Sequence, residues 1–131
     1  MSLVSELLKA DAKKADELRT GTFKSKQLAR FFGKDEPIDI TIRELPARRL
    51  ARLTDNADDN EKSYEANLKI LVEGVVDPDL KNDDLKEHFG CKMAIDLAEK
   101  LFKLEATQIS TAIVELSGMG SNDDDEDIIK N

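Results

Sequence analysis

The sequence predicts a single compact domain that is mainly α-helical and carries a small N-terminal β-hairpin, which places it in the α+β fold class. After Pro46 apolar residues recur at helical spacing. Before it, Ile38, Ile40 and Ile42 alternate with polar residues, as in a half-buried strand. The 131 residues suffice for one ordinary domain, and 40% apolar with 37% charged residues argue against a membrane protein and against a wholly disordered chain.

The first predicted element is a helix within residues 1–20. Ser2 can cap it, and its apolar positions recur at helical spacing: Val4, Leu7, Leu8, Ala15 and Leu18. Asp11 interrupts this stripe, so the helix buries little area and should depend on a partner surface for its stability. We therefore expect this segment to be mobile or to bind a partner. The start of the chain lacks the pattern of an export signal, so we expect none.

A β-hairpin is predicted over residues 23–45. Its second strand is the alternating run after Pro37, and Phe23–Leu28 is interpreted as the first strand. Phe31, Phe32 and Gly33 would then lie in the connection. The spacing of Leu28, Phe31 and Phe32 also suits one turn of helix, so a short helix here is the alternative.

Helices are predicted over residues 46–118. Pro46 suits a first helical position, and Asp58 followed by Glu61 resembles the capping box of a long helix that ends at Gly74. A short helix should stop at Gly90, and two more should follow, from about Lys92 to Phe102 and around Ile109–Leu116. The domain proper is expected to span residues 21–120. Residues 121–131 form an acidic tail without apolar periodicity, which we expect to be disordered.

Charge is distributed unevenly around a net charge of −8. Residues 19–52 carry nine basic and four acidic side chains, whereas residues 53–120 carry seven and fifteen. The basic run with its aromatic neighbours could contact nucleic acid; its members are Lys24, Lys26, Arg30, Arg48, Arg49 and Arg52 with Phe23, Phe31 and Phe32. The simpler interpretation is that these cations neutralise acidic helices of the same domain while the aromatic rings fill the core. The overall acidity also argues against nucleic acid as the partner.

Catalytic and metal-binding chemistry is not indicated. His88 and Cys91 are the only histidine and cysteine, and Gly90 between them breaks the helix that would align them. The acidic stretches 55–66 and 77–88 lack the central glycine and terminal glutamate of a calcium loop. We expect no enzymatic activity, no cofactor and no metal. Because one cysteine cannot form an intrachain disulfide, a reducing cytoplasm fits the chain best.

Three segments of the chain resemble a known family: Leu71–Leu80, Leu85 with His88–Gly90, and Glu115–Gly118. They are similar to the XkdN-like tail assembly chaperones of long-tailed phages and prophages, and the similarity extends from about Phe23 to Gly118. It implies a non-enzymatic factor that coats the tape measure protein in the host cytoplasm and helps tail-tube subunits to join. The resemblance also implies absence from the finished virion and no membrane partner.

The resemblance brings no catalytic residues, and the residues in its segments divide into two groups. Structural roles are assigned to Gly74, Asp77, Pro78, Gly90 and Gly118, because glycines end helices in a left-handed conformation and proline fixes a turn. Val75, Val76 and Leu80 are either core residues or part of an exposed groove for a partner helix.

The candidate partner-binding set combines these three residues with the stripe of the first helix: Val4, Leu7, Leu8 and Leu18. Self-association into a homo-oligomer would use the same helix. The alternative function is a small nucleic-acid-binding regulator of a prophage that uses the basic segment 19–52.

Overall fold

The computed structural model describes residues 2–55 and 59–118 and shows helices packed on one face of a three-stranded antiparallel sheet. The order of elements is α1 (Leu3–Lys9), a short 3₁₀ helix (Ala12–Asp16), β1 (Thr20–Ser25), α2 (Lys26–Phe32), β2 (Ile38–Arg43), α3 (Ala47–Thr54), α4 (Asn60–Gly74), β3 (Val75–Asp77), α5 (Asp83–His88), α6 (Ala94–Phe102) and α7 (Glu105–Leu116). The predicted fold class, mainly helical α+β, is confirmed.

β2 is the central strand of the sheet and pairs antiparallel with β1 on one side and β3 on the other. Ile40 and Ile42 are buried, whereas Asp39, which precedes Ile40, is exposed. The alternation in the sequence therefore marks the two faces of this strand. β3 has no counterpart among the predicted elements. A strand of three residues is too short to show an alternating pattern.

The predicted strand Phe23–Leu28 is wrong after Ser25, where the structure has a helix. β1 ends at Ser25, and α2 follows at once, which is the helical alternative for Leu28, Phe31 and Phe32. The hydroxyl of Ser25 accepts a hydrogen bond from the backbone N–H of Leu28 at 3.1 Å. This N-cap contact turns the chain into a helix within a run of residues that also suits a strand.

The N-terminal segment contains two short helices in place of one long helix within residues 1–20. Ser2 caps α1 as predicted, because its side chain accepts a hydrogen bond from the N–H of Ser5 at 3.1 Å. The helix ends at Lys9, and the carboxylate of Asp11 accepts from the N–H of Lys13 at 3.0 Å to begin the 3₁₀ helix. Asp11 therefore starts a new element where the predicted helix would continue, and no residue of α1 is buried.

The helices after Pro46 follow the predicted order with small shifts in their bounds. Pro46 stands at the N-cap of α3, one position before its first helical residue. The carboxylate of Asp59 caps α4 by accepting from the N–H of Lys62 at 2.7 Å, whereas the predicted cap, Asp58, lies outside the described residues. The acidic tail 121–131 also lies outside them.

The hydrophobic core lies between the sheet and the helices α4, α6 and α7. Its largest fully buried side chains include Ile40, Leu45, Leu50, Ile70, Leu71, Leu80, Leu97, Phe102, Ile109 and Ile113. α4 packs along α7, and the hydroxyl of the buried Ser110 donates a hydrogen bond to Oδ1 of Asn67 at 2.9 Å between the two helices. This bond satisfies a polar group that burial would otherwise destabilise.

Gly74 is required for packing, not for a left-handed helix end. Its φ is not positive, whereas Gly90 and Gly118 have φ of 71° and 80°. A Cβ at position 74 would lie 2.5, 2.9 and 3.0 Å from three side-chain carbons of the fully buried Ile113. α7 therefore approaches the end of α4 at a distance that only glycine allows.

A carboxylate from α7 closes the N-terminus of α2. Oε2 of Glu105 accepts hydrogen bonds from the backbone N–H groups of Lys26 at 2.8 Å and Gln27 at 3.2 Å. Its Oε1 accepts from the hydroxyl of the buried Ser25 at 2.6 Å. Because the first N–H groups of a helix have no partners within it, this carboxylate satisfies two of them and ties α2 to α7.

Replacement of Gly74 by alanine tests the close approach of the two helices. We expect Gly74→Ala to lower the free energy of unfolding by about 1–3 kcal/mol, because the new methyl group overpacks the side chain of Ile113. Ile113→Ala alone should cost about 2–5 kcal/mol through a cavity. The double variant, measured by chemical denaturation, should lose less stability than the two single losses combined, and strict additivity would contradict the contact.

Replacement of Glu105 tests the bridge from α7 to α2. We expect Glu105→Ala to lower the free energy of unfolding by about 1–3 kcal/mol, because two backbone N–H groups and the Ser25 hydroxyl lose their acceptor. Glu115→Ala removes an exposed glutamate from the same helix and should change stability by less than about 0.5 kcal/mol. Equal losses in urea denaturation of the two variants would refute the bridge.

Candidate functional site

An apolar groove opens between α2, the start of β2, the end of β3 and α5. Its cavity volume is about 320 Å³, near the lower end for ligand sites. Nine apolar residues line it, with two aspartates: Leu28, Phe31, Phe32, Ile38, Ile40, Pro78, Leu85, Phe89 and Leu101, with Asp39 and Asp77. The groove draws on segments far apart in the chain, so its shape depends on the tertiary fold.

Three phenylalanines give one wall of the groove its aromatic character. Phe31 and Phe32 are 55% and 56% exposed, and their ring centroids lie 5.7 Å apart in an edge-to-face arrangement. The ring of Phe31 also lies 5.8 Å from that of Phe89, the residue that follows α5. Neighbouring aromatic rings left half in solvent mark a site of interaction rather than a core, because burial would stabilise them further.

The two aspartates add negative charge to the groove. Asp39 on β2 forms an ion pair with Lys24 on β1 at 3.0 Å. Asp77 ends β3, and among the described residues its side chain makes no ion pair or hydrogen bond. The groove thus combines an apolar lining with one neutralised and one unpaired carboxylate.

The structure separates the residues of the predicted partner-binding set. Val75 and Leu80 are buried in the core. Of the two alternatives for these residues, the core is therefore correct, and the prediction that they bind a partner is wrong. Val76 is exposed. The stripe of the first helix, Val4, Leu7, Leu8 and Leu18, is exposed along its whole length.

Two of the residues assigned structural roles line the groove. They are Asp77 and Pro78, which are joined by a cis peptide bond. Sequence reasoning considered Phe31 and Phe32 only as possible contacts to nucleic acid and missed Phe89, and the interpretation that the aromatic rings fill the core is wrong for Phe31 and Phe32. The available signal was a pair of adjacent phenylalanines in the predicted connection between two strands.

Among the described residues, two of the six cations in the basic run, Lys24 and Arg49, form ion pairs with carboxylates of the same chain. Nε of Arg49 donates to Oε1 of Glu73 at 3.0 Å, and its Nη2 contacts Oε2 of the same carboxylate. Nε of Arg43 donates to the backbone carbonyl of Glu73 at 3.1 Å. Lys24 pairs with Asp39, whereas Lys26, Arg30, Arg48 and Arg52 form no ion pair with a carboxylate of the described residues.

The same contacts shift two ionisation equilibria. The hydrogen bond from Arg49 lowers the pKa of Glu73 below its ordinary value of 4.5; partial burial opposes this shift, while the charges of Arg49, Lys81 and Arg43 reinforce it. The pKa of Arg49 is raised by the hydrogen bond and charge of Glu73. Glu73 is therefore ionised and paired at neutral pH.

His88 and Cys91 are not joined by a hydrogen bond in the described part of the chain. The ring of His88 packs edge-on against Phe89 at 4.9 Å, and Sγ of Cys91 donates to the carbonyl of Phe89 at 3.7 Å. Within residues 2–55 and 59–118, no group of three or more His, Cys, Asp or Glu side chains is arranged to hold a metal ion. No helix in these ranges has the length and apolar character needed to cross a membrane.

Comparison with known proteins identifies the family. The family model of the phage XkdN-like tail assembly chaperones matches residues 4–130. The chain belongs to this family. The resemblance carried by Leu71–Leu80, His88–Gly90 and Glu115–Gly118 is thereby confirmed. Membership implies the role of a tail assembly chaperone, which is not an enzymatic role.

A solved structure supports the fold of this tail assembly chaperone. The crystal structure of the protein YqbN superposes with a TM-score of 0.56 at 17% sequence identity, covering 76% of this chain and 86% of that chain. At this identity the likeness shows the fold alone. No curated protein matches the chain.

The ion pair of Arg49 and Glu73 predicts a dependence of stability on pH. Because the pKa of Glu73 is lowered by folding, the stabilisation is fully present above 4.5 and is lost as the pH falls through the folded pKa. Glu73→Gln should therefore lower the melting temperature at pH 7, and the difference from wild type should shrink as the pH falls below 4.5. Glu65→Gln, an exposed glutamate on the same helix, serves as the control. A difference that stays constant with pH would exclude this linkage.

Proposed function

We propose that this tail assembly chaperone binds the tape measure protein and keeps it soluble until tail-tube subunits assemble around it. Family membership supports the general role, and the half-exposed aromatic groove supports the mode of binding. A tape measure protein is a very long, largely helical chain with repeated apolar stripes. Uncovered stripes would aggregate at the concentrations reached during infection, so a small domain that covers them has a physical purpose.

The groove is the surface that fits such a partner. Its aromatic wall can receive the apolar face of a helix; it consists of Phe31 and Phe32 on α2 with Phe89 just after α5. Asp77, which makes no ion pair among the described residues, would face a basic side chain beside that apolar stripe. The observation that carries the proposal is the exposure of two adjacent phenylalanines, since neither core packing nor the sheet requires them.

The size of the groove also suits a contact that is later broken. A cavity of about 320 Å³ receives only a few side chains, so each copy would bind weakly. Many copies along one tape measure chain would cover it collectively, and tail-tube subunits could displace them one at a time. In this proposal the chaperone acts in the host cytoplasm, helps recruit the tail-tube protein and does not remain in the finished virion.

Co-expression with the tape measure protein of the same phage tests this proposal. We expect the wild-type chaperone to keep the tape measure protein soluble and to co-purify with it. Phe31→Asp should reduce the recovered complex at least about tenfold, because it places a charge in the aromatic wall. Circular dichroism would check that the variant is folded.

Leu104→Asp is the matched control, since Leu104 is 79% exposed and does not line the groove. It should co-purify as well as wild type. Equal recovery with Phe31→Asp would rule out the groove as the contact. A chaperone that leaves the tape measure protein insoluble but retards DNA, with an affinity that falls steeply with salt, would favour the nucleic-acid-binding regulator.

A further inference from the structure

The outer face of α3 carries two arginines that have no carboxylate partner in the described chain. Arg48 and Arg52 are exposed and lie one turn apart, on the side of the helix away from the buried Leu50. Arg49, the third arginine of α3, pairs with Glu73 instead. Because like charges at this spacing repel each other, an anion beside Arg48 and Arg52 would be stabilising. These two residues are called the basic face of α3 below.

The carboxylates next to α3 do not supply that anion. Glu44, which precedes the helix, pairs with Arg19 at 3.4 Å. Asp55, which follows the helix, lines a surface cavity whose four charged residues balance one another: Asp55 and Glu65 with Lys62 and Lys69. The basic face therefore remains an excess of positive charge on this side of the domain.

The C-terminal end of the described chain lies beside the start of α3. Oγ of Ser117 accepts a hydrogen bond from the backbone N–H of Leu45 at 3.1 Å. Arg48 is three residues after Leu45, so the chain between them spans at most about 10 Å. Nη2 of Arg19 lies 3.8 Å from the position that a Cβ on Gly118 would take. The chain beyond Gly118 therefore continues from a point close to the basic face.

The sequence beyond Gly118 carries the opposite charge within reach of this face. Five consecutive acidic residues, Asp123–Asp127, are followed by one lysine, Lys130. An extended chain spans about 3.4 Å per residue, so the first of these carboxylates can lie up to about 17 Å from Gly118 and the last up to about 30 Å. Arg48 and Arg52 both fall within this range, because four residues of α-helix rise only about 6 Å.

Two further unpaired cations of the basic run lie farther from this point. Lys26 and Arg30 belong to α2, which begins where β1 ends, whereas Arg19 precedes the start of β1. The six residues of β1 separate its two ends by about 17 Å. Position and charge together favour α3 over α2 as the surface that the acidic segment meets.

We propose that the acidic segment Asp123–Asp127 covers the basic face of α3 in its own chain. A short tether gives this segment a millimolar effective concentration beside α3, which exceeds that of a second copy in dilute solution. The segment competes with nucleic acid and other polyanions for the two arginines and so keeps them from binding. This contact does not depend on the proposed function, because α3 contributes no residue to the aromatic groove.

Paramagnetic relaxation in magnetic resonance tests where the acidic segment lies. A spin label is attached to Ile128→Cys in the ¹⁵N-labelled full chain with Cys91→Ser. The neutral-tail variant carries the same label but has the five acidic residues Asp123–Asp127 replaced by the corresponding amides. We expect the amides of residues 48–52 to broaden at least about threefold more in the acidic chain. The excess should vanish at about 1 M salt, where screening is nearly complete. Equal broadening in both chains would overturn the proposal.

A mixed sample distinguishes the chain's own tail from that of a second copy. Spin-labelled protein without ¹⁵N is mixed at about 0.1 mM with ¹⁵N-labelled protein that has no spin label. We expect no broadening of residues 48–52 in this mixture. Broadening there would show that another copy supplies the acidic segment and would contradict the intramolecular contact.

Binding of a polyanion supplies the second measurement. The probe is a fluorescent single-stranded oligothymidylate of about 20 nucleotides, followed by anisotropy at low salt. We expect the neutral-tail variant to bind it at least about tenfold more tightly than wild type. Adding Arg48→Glu with Arg52→Glu to that variant should remove the gain, because the exposed basic face is lost.

Arg30→Glu with Lys92→Glu is the matched control in the same neutral-tail variant. Both residues are exposed, neither belongs to α3, and the pair makes the same change in net charge. The control should keep most of the gain, and circular dichroism would check that both variants are folded. Equal losses with the two pairs would show a general effect of net charge and would refute the role of α3.

Discussion

The packing of α7 against the rest of the domain is the constraint on which the groove depends. At one end of this helix, Glu105 caps α2 and thereby holds the element that carries Phe31 and Phe32. Further along, Ile113 packs on the bare backbone of Gly74, where α4 ends and β3 begins. β3 then leads to Pro78 at the opposite wall. Through the buried face of one helix, the fold therefore positions both sides of a surface to which that helix contributes no side chain.

The helix α2 shows how the chain divides apolar residues between stability and binding. Leu28 and Ala29 are buried, whereas Phe31 and Phe32, one turn later, remain half in solvent. Two exposed phenylalanines favour aggregation unless a partner covers them. Their presence next to Phe89 supports the proposal that a partner binds here.

The charges follow a similar division. Arg49 pairs with Glu73 of α4, and Lys24 pairs with Asp39 of the neighbouring strand, whereas the other four cations of the basic run form no ion pair among the described residues. The Lys24–Asp39 pair is exposed, and exposed pairs contribute little to stability and are weakened by salt. The carboxylate of Glu73 is partly buried, so its pair with Arg49 is less open to solvent. The pairing of Asp39 leaves Asp77 as the groove carboxylate without an ion-pair partner among the described residues.

Much of the chain was predictable from local patterns. The alternation of Ile38–Ile42, the cap at Ser2 and the helix that stops before Gly90 each depend on residues within a few positions of one another. The segments around Leu71–Leu80 also identify the family without knowledge of the fold. The groove was not predictable, because Phe31 and Phe32 have the same local pattern whether they face a core or solvent.

The sequence by itself determined the fold class, the order of the helices and the family, because periodicity, capping and motif similarity depend only on residues close together in the sequence. Only the tertiary structure decided that α2 replaces the end of a strand, that Gly74 makes room for Ile113, and that Val75 and Leu80 are buried while Phe31 is not. These outcomes depend on contacts such as Ser25 with Glu105, between residues far apart in the chain. A local sequence pattern does not show which distant residues come into contact. The groove could therefore be recognised only in the tertiary structure, where these residues lie side by side.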